Sequence, residues 1–107
     1  MANPWRGEVE LVLDDTTHAM RLTLGALAEL EARLDSGSIV ELVERFEKGE
    51  VRARDLLALL TAGLRGGGLD INEASLGACE IGGGPVGAAR AAAELLRLTF
   101  ALPQGNG

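Results

Sequence analysis

The chain has 107 residues, 47% of them hydrophobic, with 16 acidic and 10 basic side chains and a formal charge of −6. That is one domain's worth of sequence, able to bury about 65% of its unfolded surface in a single core and too apolar for global disorder. The charge opposes nonspecific nucleic-acid binding and attachment to an anionic membrane, both of which draw on clustered Lys and Arg.

Residues 1–6, MANPWR, read as a loose arm. Asn3-Pro4 favours extended backbone, and Trp5 either packs on its own chain or faces a partner. The N-terminus has no apolar h-region of a secretory signal. The longest apolar run, Leu56 to Leu60, falls far short of the roughly 20 residues a membrane helix needs. The single cysteine, Cys79, allows no intramolecular disulfide and fits a reducing compartment. These features predict a cytoplasmic protein.

Residues 7–34, GEVELVLDDTTHAMRLTLGALAELEARL, read as a β-hairpin running into an amphipathic helix. A turn at Asp15-Thr16 sets Leu13 opposite His18, Leu11 opposite Met20 and Val9 opposite Leu22. All six then share one face, because strand side chains alternate with period two. Glu10 pairs with Arg21 and Val12 with Ala19 on the other face. The helix is expected to start at Thr23 as N-cap. It carries the stripe Leu24, Leu27, Leu30 and Leu34, has a Glu29–Arg33 pair on its outer side, and ends at Asp35-Ser36-Gly37.

Ser38-Ile39-Val40-Glu41 is a capping box for a second helix. Its buried face is Ile39, Leu42, Val43 and Phe46, its outward pairs are Glu41–Arg45 and Glu44–Lys48, and Gly49 supplies a left-handed stop. A third helix, about Ala53 to Arg65, carries Leu56, Leu57, Leu59, Leu60 and Leu64 on more than one face. Such a helix is central in a core or covered by a partner. Gly66-Gly67-Gly68 is expected as a flexible break. Asp70 caps a short helix reaching about Cys79, Gly82-Gly83-Gly84-Pro85 is a second break, and a last helix runs from Val86 to about Ala101. Its stripe is Val86, Ala89, Ala93, Leu96 and Phe100, and Pro103 stops it. The predicted fold is α+β: an N-terminal β-hairpin packed against a bundle of four to five short helices. It spans 1–107 as a single small domain, with 1–6 and 103–107 loose.

The hairpin GEVELVLD, THAMRLTLGALAELEARL, and the following SIVELVERFEKGEVRARDLLALLTAGLRGGG resemble a small family of tail proteins found in gene transfer agent and prophage tail clusters. That family is of the tail tube or tail-assembly-chaperone type. The resemblance covers roughly residues 7–68 and is weaker over the last third. It rests on apolar patterns and turn residues. The hairpin tip departs from it, with Asp14-Asp15-Thr16-Thr17 where the family pattern has a Gly. The resemblance implies a nonenzymatic assembly protein, a tail-assembly chaperone acting with the tape-measure protein or, as the alternative, a structural tail tube or terminator component, with partners among the tail proteins: the tape-measure or the tail tube. A small regulatory domain reading DNA with the Arg52–Arg54 helix is a remoter alternative, which the acidic balance opposes. It also implies a place in the cytoplasm or in the tail of a virion-like particle.

The residues carry no competing chemistry. A nucleophile needs a base beside it, yet His18 falls on the apolar hairpin face and Cys79 has no histidine near it in sequence. One Cys and one His do not make a zinc site, and Asp14-Asp15 lacks the twelve-residue loop of a calcium site. GLRGGGLDINE lacks the Lys and hydroxyl of a phosphate loop. The amides of GGGPVGAAR face a net negative charge. Arg45, Lys48, Arg52 and Arg54 are interleaved with Glu41, Glu44, Glu47, Glu50 and Asp55 and read as a solvated face. No catalytic residue, cofactor or metal is therefore expected. What remains is surface: Leu56, Leu60, Leu64, Ala89, Ala92, Ala93 and Leu96 are candidate partner contacts and equally candidate core. The expected solution state is a monomer or small oligomer.

Overall fold

The computed structural model describes residues 3, 7–34 and 38–100. Strands β1 (Val9–Leu13) and β2 (Thr16–Met20) precede helices α1 (Leu24–Arg33), α2 (Ile39–Lys48), α3 (Ala53–Gly66), α4 (Glu73–Gly77) and α5 (Gly84–Thr99). The architecture is α+β, as the sequence predicts.

The hairpin pairs Val9 with Met20, Glu10 with Ala19, Leu11 with His18, Val12 with Thr17 and Leu13 with Thr16. This register is two residues from the expected one, so Glu10 faces Ala19 rather than Arg21. The turn is Asp14-Asp15, with φ of 48° and 68°, which meets the requirement of a type I′ loop for positive φ at both central residues. Asp14 supplies the reason. Its Oδ1 accepts from the Glu80 amide at 2.9 Å, and its own amide donates to the Glu80 carbonyl at 2.8 Å. A shift of two preserves the alternation, so the apolar face survives: Leu11, Leu13, Met20 and Leu22 are buried. Asp15 makes the larger excursion into left-handed space, where only Gly is free of strain. Asp15→Gly is therefore expected to stabilise the fold by about 0.5–1 kcal/mol. A thermal midpoint that falls in this variant would rule out the two-residue turn.

The hairpin is tied to the rest of the chain on both sides. Gly82 donates to the Val12 carbonyl at 2.9 Å and Leu13 forms an isolated antiparallel bridge with Ile81, so residues 80–82 lie beside the turn end of β1. On the β2 side, Arg21 donates to the Gly63 carbonyl at 2.8 Å.

Thr23 caps α1, its Oγ1 accepting from the Ala26 amide at 3.1 Å. The buried line is Ala26, Leu30 and then Leu34, while Leu24 is 85% exposed. Six residues before Leu30, Leu24 sits about 120° around the helix from it. Glu29 and Arg33 do not serve each other. Glu29 accepts from Arg65 and Arg33 reaches Glu73, each at 3.2 Å, tying α1 to α3 and α4. These pairs are exposed and contribute at most about 1 kcal/mol each. The expected stop at 35–37 lies outside the described residues.

In α2, Ser38 Oγ accepts from the Glu41 amide at 3.1 Å. Gly49, at φ 72°, donates to Phe46, and Glu50 donates to Arg45. These are the two bonds of a Schellman stop. Leu42 is fully buried, with Ile39, Val43 and Phe46 half-buried against the core.

The leucine-rich helix is central. Every residue of α3 from Ala58 to Leu64 is buried, and it packs against α1, α4, α5 and β2. The Thr61 hydroxyl donates to the Leu57 carbonyl at 2.8 Å, so its burial leaves no orphan there. The α4 cap is Asn72 rather than Asp70: Asn72 Oδ1 accepts from the Ser75 amide at 2.8 Å, and Asp70 lies outside the helix.

The stripe on α5 is also rephased. Ala88, Ala92, Leu95 and Leu96 are buried, whereas Val86 is 67% and Phe100 39% exposed and Ala93 faces solvent. Of the expected line only Leu96 is core. Alanine is small enough for either face, so an alanine-rich helix carries little phase information. Trp5, the tail and the Pro103 stop lie outside the described residues, as does the arm apart from Asn3, whose amide donates to Glu8 Oε1 at 2.8 Å.

Candidate interaction surface

The glycine runs close the structure rather than loosen it. A Cβ on Gly66 would lie 1.9 Å from the Arg21 carbonyl oxygen, and one on Gly67 would lie 2.0 Å from that of Ala19. These two glycines let the end of α3 touch the β2 backbone. In the second run a Cβ on Gly82 would lie 2.9 Å from Val12 Cβ, and one on Gly87 would lie 2.6 Å from the Gly82 carbonyl oxygen. Gly66, Gly67 and Gly82 are therefore packing points within the expected breaks, while a Cβ on Gly68 or Gly84 would meet nothing within 4 Å. Amides here are committed too: Gly67 donates to Gly63, Gly82 to Val12, Gly84 to Ile81 and Gly87 to Gly83.

The candidate contact residues divide cleanly. Leu60, Leu64, Ala92 and Leu96 are at most 2% exposed and belong to the core. Leu56 and Ala89 are half-buried, and Ala93 is exposed. Leu56 lines an open cleft of about 520 Å³ between the first turns of α3, the 77–81 segment and the start of α5. Its walls are Ala53, Leu56, Leu57, Ile81, Pro85 and Ala88, with Leu60 at the base and Cys79 and Glu80 adding polar atoms. Sequence patterning missed Ile81 and Pro85, because a cleft wall built from a connecting segment has no periodicity.

Cys79 is half-buried, and its Sγ donates to the Ser75 carbonyl at 3.3 Å. Burial pushes its thiol pKa up, and the neighbouring Asp14 carboxylate adds to the shift. A thiol so placed stays protonated near neutrality and is a poor nucleophile. His18 is half-buried on the apolar hairpin face opposite Leu11. Among the described residues, no cluster of three or more His, Cys, Asp or Glu side chains could hold a metal. No described helix is long and apolar enough to cross a membrane.

Arg45 lies 4.0 Å from Glu41, one of the acids interleaved with the basic residues. With a formal charge of −6, duplex DNA is expected to bind negligibly at physiological salt. A salt-sensitive micromolar complex in a mobility-shift titration would contradict this.

Comparisons with curated proteins and with solved structures return no match. The family model described as phage tail tube protein, GTA-gp10, matches residues 6–102, nearly the whole chain and all seven elements of the fold. The hairpin-plus-helix chain belongs to this gene transfer agent and phage tail family.

Proposed function

We propose that this tail protein is a nonenzymatic assembly factor, a tail-assembly chaperone acting with the tape-measure protein. The observation that carries this reading is the pairing of an open apolar cleft beside α3 with a single hairpin of two five-residue strands, which offers little free edge. A subunit that polymerises through its sheet needs free strand edges. A chaperone needs an apolar surface for a foreign helix. The tape measure is the long helical component of such a tail, and its apolar stripes need cover until tube subunits assemble around it. Contact through Leu56, Ala89 and Ala93 would use the accessible members of the candidate set. The protein would act in the cytoplasm as a monomer or small oligomer. It would also act as a single domain, since one apolar cluster takes a buried residue from every element.

A structural tube component is the second reading, favoured by the description of the family itself. Co-expression separates the two. A chaperone raises the soluble yield of the tape measure and is scarce in purified particles. A tube subunit leaves that yield unchanged and is stoichiometric in the tail.

A further inference from the structure

Among the described residues, positive φ outside glycine occurs at the hairpin tip alone, at Asp14 and Asp15. Glycine would take either position without strain. Asp14 does something there that glycine would not. Its Oδ1 accepts from the Glu80 amide while its own amide donates to the Glu80 carbonyl, so it clasps the Glu80 backbone through both N–H and C=O. Cys79, Glu80 and Ile81 form one wall of the open cleft, whose other walls include Leu56 and Leu57 of α3. Between α4 and α5 this wall belongs to no helix or strand. Its position therefore depends on what it is bonded to, and the Gly82–Val12 bond continues the tie to β1. An apolar cleft open to water also gains by closing, because bringing Leu56, Leu57, Ile81 and Pro85 together removes apolar surface from solvent. A wall that stays apart must be tied back.

We propose that Asp14 is the positioning residue of the cleft: its side-chain bond to the Glu80 amide ties the 79–81 wall back to the hairpin and keeps the cleft pre-formed. The inference concerns the shape of the cleft and holds whatever fills it. A pre-formed surface is spared the cost of ordering a loop on binding. A left-handed non-glycine residue retained for a bond to a segment 66 residues away is the kind of outlier that marks such a site. Cys79 stands on the same wall, and burial followed by the Asp14 carboxylate pushes its thiol pKa up. That thiol therefore reports whether Asp14 stands beside the wall.

Amide hydrogen exchange and alkylation of Cys79 by iodoacetamide, both on the intact chain, test this in three variants. Asp14→Gly suits the left-handed backbone and removes the acceptor. Its Glu80 and Gly82 amides are expected to exchange at least about fivefold faster, one net hydrogen bond's worth, while those of Ala58–Leu64 keep the parent's protection. Asp14→Asn keeps an oxygen acceptor in place, so its exchange should match the parent. Asp15→Gly relieves the neighbouring left-handed residue without touching the Glu80 bonds, and it too should leave the wall amides unchanged. The pH dependence of alkylation is expected to move to lower pH in both Asp14 variants, because each removes the carboxylate that helps keep the thiol protonated. Unchanged exchange at Glu80 and Gly82 in Asp14→Gly overturns the proposal. So does an equal rise in Asp14→Asn or Asp15→Gly, which would assign the wall to charge or to the turn backbone. A rise shared with Ala58–Leu64 means global loosening and also overturns it, as does a Cys79 pH profile that neither Asp14 variant moves.

Discussion

Gly66→Ala is expected to destabilise the protein by about 3 kcal/mol, although alanine is the better helix former. Gly66 is the last residue of α3, and an added methyl carbon would sit 1.9 Å from the Arg21 carbonyl oxygen and 3.3 Å from Ala26 Cβ. The oxygen is backbone and has no rotamer to escape into. Relieving the clash moves α3 from β2 by on the order of 1 Å, a large displacement in a close-packed interior. It also stretches the 2.8 Å Arg21–Gly63 bond three residues away. A glycine serving only as a hinge gives the opposite sign, because replacing it reduces the entropy of the unfolded chain and stabilises by roughly 0.4–1 kcal/mol. Gly25→Ala is the internal control. It lies in the first turn of α1, where a Cβ meets only Thr23 Oγ1 at 3.9 Å, so a gain of about 0.5 kcal/mol is expected. Denaturant midpoints of the two variants should move in opposite directions. A Gly66→Ala protein at least as stable as the parent would refute the close-contact role.

The same comparison shows where sequence reading stops. Thr23, Ser38 and Gly49 were legible as caps because each acts on amides or carbonyls within five residues. The central helix was legible as central or covered because its leucines occupy several faces. The choice between those two was settled by tertiary packing alone. The hairpin face survived a wrong register because an even slip keeps every side chain on its side. The turn itself was decided 66 residues away, where Glu80 engages Asp14, and no local pattern encodes that contact. The glycine runs misled for the same reason. Locally they signal freedom, whereas here they are spacers between two backbones. The cleft was only partly visible: Leu56 stands out on a leucine-rich helix, but Ile81 and Pro85 come from a connecting segment with no periodicity.

The phase of α5 gives the second large effect and the cleanest probe of the partner. Ala92 is fully buried and Ala93, one position and about 100° further around the helix, faces solvent. Ala92→Glu places a carboxylate in the apolar layer formed with Leu95, Leu96 and α3, with no space for the longer side chain. The expected loss is about 3–5 kcal/mol, enough to populate the unfolded state of a marginally stable domain. Ala93→Glu should change stability by no more than about 0.5 kcal/mol. Thermal and denaturant midpoints of the two neighbours therefore diverge sharply if the helix is phased as described, and an unperturbed Ala92→Glu protein would show that it is not. The same pair addresses function. Loss of binding in Ala92→Glu says nothing about contact, because the fold is lost with it. Ala93→Glu keeps the fold and adds a charge to the outer face of α5. If it abolishes the gain in soluble tape measure on co-expression, that face is part of the docking surface. If the gain persists, contact lies elsewhere, and Leu56→Glu at the cleft wall becomes the deciding variant, read together with its own unfolding midpoint.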